Sequence, residues 1–359
     1  KAIRRQRQMC IRDRIELMRF TFCMCILFYH LNGDLWDGEK VFGDYFSFFS
    51  HGRTGVEFFF LLSGFFAAQA AYKSREDGIT TGKSTMQFLY KKIKSVFMPN
   101  LCVVLLTVVY MLFFDEHSFE SIFERLPSIF FLQCTGLTPY SFIPVAWYIG
   151  AMLFALAILY PLLKKNYDIT ARVIAPVGST LLLGYLFSTC GWLPSSNDLV
   201  LFISKYNLRA LAVMLLGVFC FEVSRCLRNF KLSKPQSTAL VVLENICWLF
   251  ALYFMVSQLP YLYEVYGLYA FAVAITICLS RDCNQKIYNH SFVFFLGKIS
   301  LPVYLCQNLT RNLIEDQFGY LSNKMQLVWI TLLTVGLGIA IHYLYQGIRK
   351  KKTVQPKKQ

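Results

Sequence analysis

Apolar residues in this chain fall in long continuous runs, and the polar residues gather in the short stretches between them. Ten runs are long enough to cross a bilayer, at 15–32, 53–72, 95–114, 146–163, 169–188, 208–224, 238–257, 262–280, 291–313 and 325–347. Roughly 20 apolar residues span a hydrocarbon core as a helix. The pattern predicts an all-α polytopic membrane protein built as a bundle of about ten transmembrane helices. It divides the chain into a basic N-terminal segment at 1–14, a membrane domain at 15–347 and a basic tail at 348–359.

The first run, IELMRFTFCMCILFYHLN, carries Arg19 near its start and His30 near its end. Eleven residues at about 100° each make three turns plus roughly 20°, so the two side chains share one helix face, roughly 16 Å apart along the axis. Ionisable side chains within a membrane are costly and face a bundle interior or a wet cavity. The competing reading makes Arg19 a positive-inside anchor and places His30 at the opposite interface.

Composition changes this picture little. The chain has 359 residues, 56% hydrophobic, 17% aromatic and 16% charged, below the share usual in soluble proteins. A net charge of +15 would suggest nucleic acid in a soluble protein. Here the basic residues lie between apolar runs, which points to topology and anionic lipid and away from nucleic acid. With the N-terminus placed in the cytoplasm, 28 of the 36 Lys and Arg residues fall on the inside and seven outside, with Lys298 left within a span. Both termini are therefore predicted cytoplasmic. The twelve cysteines show no metal spacing; Cys23, Cys25, Cys102, Cys220, Cys247, Cys278 and Cys306 lie in apolar runs and read as small buried hydrophobes. No metal site is expected. No cleavable signal peptide is evident, and the opening KAIRRQRQMCIRDR, odd in composition, is given no functional weight.

Between the runs, residues 33–52 carry Asp34, Asp37, Glu39 and Asp44 among Tyr45, Phe46, Phe48 and Phe49, and 115–145 contain FESIFERLPSIFFLQ, patterned like an interfacial helix. Spans one and two are antiparallel, so His30 and Glu57 fall at similar depth. A carboxylate there would fix the imidazole tautomer and stabilise its charged form; alternatively Glu57 pairs with Arg53. Ser63 and Gly64 suit close helix approach. Lys91, Lys92 and Lys94, ahead of Pro99, suit either lipid phosphates or the phosphates of a nucleotide-containing donor. Trp147 and Tyr148 begin the fourth span, and Arg209 opens the sixth. The ninth places Lys298, Ser300, Pro302, Tyr304, Gln307 and Asn308 in one segment, which is costly unless they line a cavity or meet a partner.

Four segments together, in order, resemble the acyltransferase family 3 membrane enzymes: Arg19 to His30, GVEFFFLLSGF at 55–65, KKIKSVFMP at 91–99 and LGKISLPVYL at 296–305. WYIGAML at 147–153 and RALAVMLLG at 209–217 are similar to two further helices of that family. The resemblance runs from about residue 15 to about 345. It implies a multi-pass protein of the bacterial cytoplasmic membrane that moves an acyl group, most often acetyl, from acyl-CoA to a hydroxyl of a cell-surface or lipid-linked carbohydrate. No cofactor is bound; acyl-CoA is a substrate. His30 would be the base or a transient acyl carrier, with Glu57 orienting it, and Arg19 would serve the donor side with Lys91, Lys92 and Lys94. Ser63, Trp147, Arg209, Ser300, Tyr304 and Gln307 would line the cavity on the acceptor side. Three regions depart from the family pattern: Gly150, Ala151 and Met152 stand where a carboxylate is common, Gln307 where a histidine is, and lysines where arginines are. A proton-coupled transporter or flippase, or a non-catalytic membrane sensor, are the competing readings.

Overall fold

A computed structural model of the protein describes residues 2–35, 48–114, 118–138, 140–191, 193–194, 198–280 and 291–354. The long helices are α1 (Ala2–Leu35), α2 (Gly55–Ser74), α3 (Thr81–Phe114), α5 (Trp147–Lys165), α7 (Ala175–Cys190), α8 (Lys205–Asn229), α9 (Lys234–Val256), α10 (Glu264–Ser280), α11 (Ser291–Phe318) and α12 (Asn323–Val354). The short α4 (Ser118–Arg125) lies between α3 and α5, and α6 (Tyr167–Ile169) runs through a π-helical stretch, Thr170–Ile174, into α7. The only strands among the described residues form a two-stranded antiparallel hairpin, Leu199–Val200 against Ile203–Ser204.

Nine helices among the described residues are long and apolar enough to cross a membrane, matching nine of the ten predicted runs. The tenth run lies in α1, made more polar by Glu16, Arg19 and His30. Its Phe22 and Leu31 are nonetheless fully buried in the protein. α1 begins at Ala2 and α12 ends at Val354, so neither domain boundary predicted at 14/15 or 347/348 is a break in structure. Asp37, Glu39, Asp44, Tyr45 and Phe46 lie outside the described residues. Phe48 and Phe49 pack on Phe28 of α1, at ring distances of 5.6 and 5.1 Å. The predicted interfacial segment forms α4 followed by two 3-10 turns, with Phe119 and Phe123 exposed.

α2 is the centre of the bundle. It buries 78% of its most apolar stretch, against 22% for α7 and 28% for α9 and α12, whose outward faces are left for lipid. It crosses α8 at a paired glycine contact. A Cβ on Gly64 would strike the Met214 carbonyl, and a Cβ on Gly217 would strike the Leu61 carbonyl. Small residues at both sides of a crossing let two backbones touch, the usual solution where lipid removes the hydrophobic drive to associate. Beside this crossing, Phe22 meets Phe58 and Phe271 at ring distances of 4.8 Å. Prolines 99, 161 and 302 sit inside α3, α5 and α11. Each lacks the amide proton its turn would use.

Candidate functional site

α1 and α11 run side by side through the bundle, and two cavities open along them. The first, about 320 Å³, is lined by Tyr29 and His30 of α1, Arg53 and Val56 at the entry to α2, Val145 and Trp147 at the entry to α5, Tyr206 and Arg209 of α8, and Tyr304 and Asn308 of α11. The second, also about 320 Å³, is lined by Glu16 and Arg19 of α1, Val56 and Phe59 of α2, Lys92 and Ser95 of α3, Tyr148 and Met152 of α5, and Lys298, Ser300 and Tyr304 of α11. The shared helix face of Arg19 and His30 thus serves two chambers, one residue in each.

Around the His30 chamber the charges come as buried pairs. Arg209 donates from Nε to Glu57 Oε1 at 2.9 Å and from a terminal nitrogen to the same oxygen. Arg53 donates from Nε and Nη2 to Glu264 Oε1 at 2.8 and 2.7 Å. Residues 193–194 tie the two pairs together: the Leu193 amide donates to Glu264 Oε2 at 3.2 Å, and the Pro194 carbonyl accepts from Arg209 at 3.2 Å. Glu57 therefore pairs with Arg209, and neither His30 nor Arg53 is its partner. The cause is the α2–α8 crossing, which sets Glu57 opposite Arg209 at full burial, where a carboxylate needs a cation and not a neutral ring. Trp147 stacks on Tyr206 at 4.3 Å and 21°, with the Arg209 guanidinium 5.3 Å from its ring centre. Asn308 contributes an Oδ1 that is buried and accepts no hydrogen bond from the described residues.

The Arg19 chamber is cationic. Arg19 reaches Glu16 at 3.2 Å across one helical turn, and Lys92 and Lys298 stand in the same wall, Lys298 lying 4.2 Å over the Phe294 ring. Lys91 and Lys94 are exposed and face away from the chamber, Lys94 packing over Tyr90 at 5.8 Å. Three cations against one carboxylate favour an anionic ligand.

The remaining predicted residues divide. Tyr304 and Ser300 line cavities as expected, Tyr304 donating to the Val145 carbonyl at 2.7 Å and Ser300 to the Gly297 carbonyl at 2.8 Å. Ser63 is buried and lines neither chamber; it donates at 3.2 Å to the Sδ of Met152, in the wall of the Arg19 chamber. Gln307 is buried, its Nε2 donating to the Tyr304 carbonyl at 2.8 Å, and lines neither chamber. Gly150, which stands where a carboxylate is common, is needed as glycine: a Cβ there would strike the Phe131 carbonyl. Glu16, Tyr29 and Tyr206 are lining residues that the sequence did not single out, and Arg53 entered only as an alternative partner for Glu57. Glu16 had a signal, being three residues before Arg19 on the same helix face. Beside the His30 chamber, His51 is 3% exposed and its Nε2 donates to the Leu259 carbonyl at 2.6 Å. Burial holds its pKa below the ordinary value, against the pull of that carbonyl and of Glu264. Among the described residues no cluster of three His, Cys, Asp or Glu side chains is placed to hold a metal ion.

The arrangement pairs an imidazole in one chamber with a cationic chamber behind it, which suits proton transfer on one side and anion binding on the other. A family model described as an acyltransferase domain matches residues 12–344, nearly the whole chain. No curated protein and no solved structure matches the chain.

Proposed function

The chain belongs to the acyltransferase-domain family, and we propose that it transfers an acyl group, acetyl by preference, from acyl-CoA to a hydroxyl of a cell-surface or lipid-linked carbohydrate. The observation that carries this reading is the division of one α1 face between two chambers, Arg19 in the cationic one and His30 in the other. The CoA phosphates sit at the mouth of the Arg19 chamber, held by Arg19, Lys92 and Lys298. The acyl thioester reaches toward His30. The acceptor lies in the His30 chamber, where the Trp147–Tyr206 stack offers an aromatic face to a sugar ring and Asn308 Oδ1 accepts from one of its hydroxyls.

His30 takes the proton of the acceptor hydroxyl as that oxygen attacks the acyl carbonyl. The oxyanion forms between Arg53 and Arg209, whose ion pairs hold their guanidinium groups fixed before the reaction begins. The carbon–sulfur bond then breaks and His30 returns the proton to the CoA thiolate. The products are the ester and free CoA. Glu57 acts in this scheme by fixing Arg209. The Arg19 end of the bundle faces the cytoplasm of a bacterial cell, as the gathering of basic residues there supports.

The test is transfer in membrane vesicles from cells expressing the protein, supplied with radiolabelled acetyl-CoA. Label appearing in alkali-labile ester linkage on polysaccharide or lipid-linked glycan, and lost in His30→Ala, supports the reading. Accumulation of an unmodified solute in the vesicles without ester formation would favour a carrier instead.

A further inference from the structure

Val56 and Tyr304 face both chambers at once. They come from α2 and α11, on either side of the α1 face that carries Arg19 and His30, and both are buried, at 4% and 6% exposed. The Tyr304 ring does not swing freely. Its hydroxyl is held by the Val145 carbonyl at 2.7 Å, and the ring of Tyr148, which lines the Arg19 chamber, stands edge-on to it at 6.0 Å. Val145 in turn belongs to the wall of the His30 chamber. The Tyr304 ring is thus fixed between the two chambers, and Val56 stands in the wall of both.

We infer that Val56 and Tyr304 form the constriction between donor and acceptor chambers and set the breadth of the acyl group that reaches His30. The inference rests on the proposed function, since it assigns the chambers to acyl-CoA and acceptor. Its physical basis is that an acyl thioester entering beside Arg19 travels roughly 16 Å along α1 to reach His30 and passes between these two side chains. The unbranched end of the pantetheine arm follows the acyl group through the same gap, so straight chains of that width are admitted, and protein interiors are packed closely enough that added breadth is resisted. A straight acyl group passes; a branched or aromatic one has to displace a ring anchored to a backbone carbonyl. The two residues touch the moving group without taking part in bond making, so their signature is a change in selectivity between donors.

The experiment measures free CoA released by the purified full-length protein in lipid vesicles supplied with acetyl-, isobutyryl- or benzoyl-CoA. Wild type should favour acetyl-CoA over isobutyryl-CoA by about tenfold or more. Tyr304→Leu and Val56→Ala, which open the passage at two different helices, should each bring that ratio to about threefold or less by raising the rate with the broader donors. Tyr304→Phe keeps the ring and should stay nearer to wild type than Tyr304→Leu. A fault of folding lowers all three donors alike, so the ratio separates a passage from a packing defect. If Tyr304→Leu does not fold, Val56→Ala decides alone. Wild-type ratios in the variants that turn over would overturn the constriction while leaving the acyltransferase reading standing. A wild type that releases no CoA from any donor, even with a glycan extract added, would overturn that reading and the constriction with it.

Discussion

The Arg209 guanidinium and the Glu57 carboxylate lie 152 residues apart in the chain and form an ion pair in which each side chain is 1% exposed. The pair exists because α2 and α8 touch backbone to backbone at Gly64 and Gly217. It positions Arg209 in the wall of the His30 chamber.

Removing one member of this pair leaves a buried charge alone. Arg209→Met or Glu57→Leu should each destabilise the protein by about 3–5 kcal/mol, whereas the double substitution should recover much of that loss. Thermal unfolding of the four forms in detergent checks this as a double-mutant cycle.

The crossing itself gives a second prediction. Gly64→Ala or Gly217→Ala forces a methyl against an opposing carbonyl and should cost about 1–3 kcal/mol or more, because the obstacle is backbone and cannot rotate away. Yield of folded protein and its melting temperature report the outcome. Gly184→Ala, at a position open within 4 Å, should leave both near wild type.

In the Arg19 chamber, Lys92 and Lys298 line the wall and Lys91 and Lys94 do not. Lys92→Ala and Lys298→Ala should each raise KM for acyl-CoA by about tenfold with a smaller change in kcat. Lys91→Ala and Lys94→Ala should have smaller effects on KM. Equal effects from all four lysines would place the phosphates on the helix surface and not in the chamber.

His51 makes stability depend on pH. Its folded pKa lies below its unfolded value of about 6.5, because burial disfavours the charged ring beside Arg53, and Glu264 and the Leu259 carbonyl only partly offset this. The unfolded chain binds the proton more readily, so stability is full above about pH 6.5 and falls as the pH drops below it. The melting temperature should therefore be lower at pH 5.5 than at pH 7.5, and His51→Phe should reduce the difference.

Much of the architecture was legible from hydrophobic run length alone, because a bilayer fixes how long an apolar helix must be. The common face of Arg19 and His30 was legible for the same local reason, since helix geometry places residue 30 over residue 19 without reference to the rest of the fold. Partners across helices were not. Glu57 and His30 share a depth, but which neighbour Glu57 meets depends on the rotation of α2 against α8, fixed by two glycines that look like ordinary small residues in the sequence. The same applies to Lys91, Lys92 and Lys94, of which one turns inward because α3 presents a single face to the bundle. Val56 had no chemical signal, and only its place in the walls of both cavities shows where it stands.

In the proposed transfer, His30 acts on an acyl group delivered from the Arg19 chamber. Its most direct test is the release of CoA from acetyl-CoA by the purified protein in lipid vesicles with a glycan extract as acceptor, comparing wild type, His30→Ala and Arg19→Ala. His30→Ala should lower kcat by about 10²–10⁴-fold with acetyl-CoA still bound, and Arg19→Ala should act mainly on KM for the donor. Near-normal turnover by a folded His30→Ala would contradict the account.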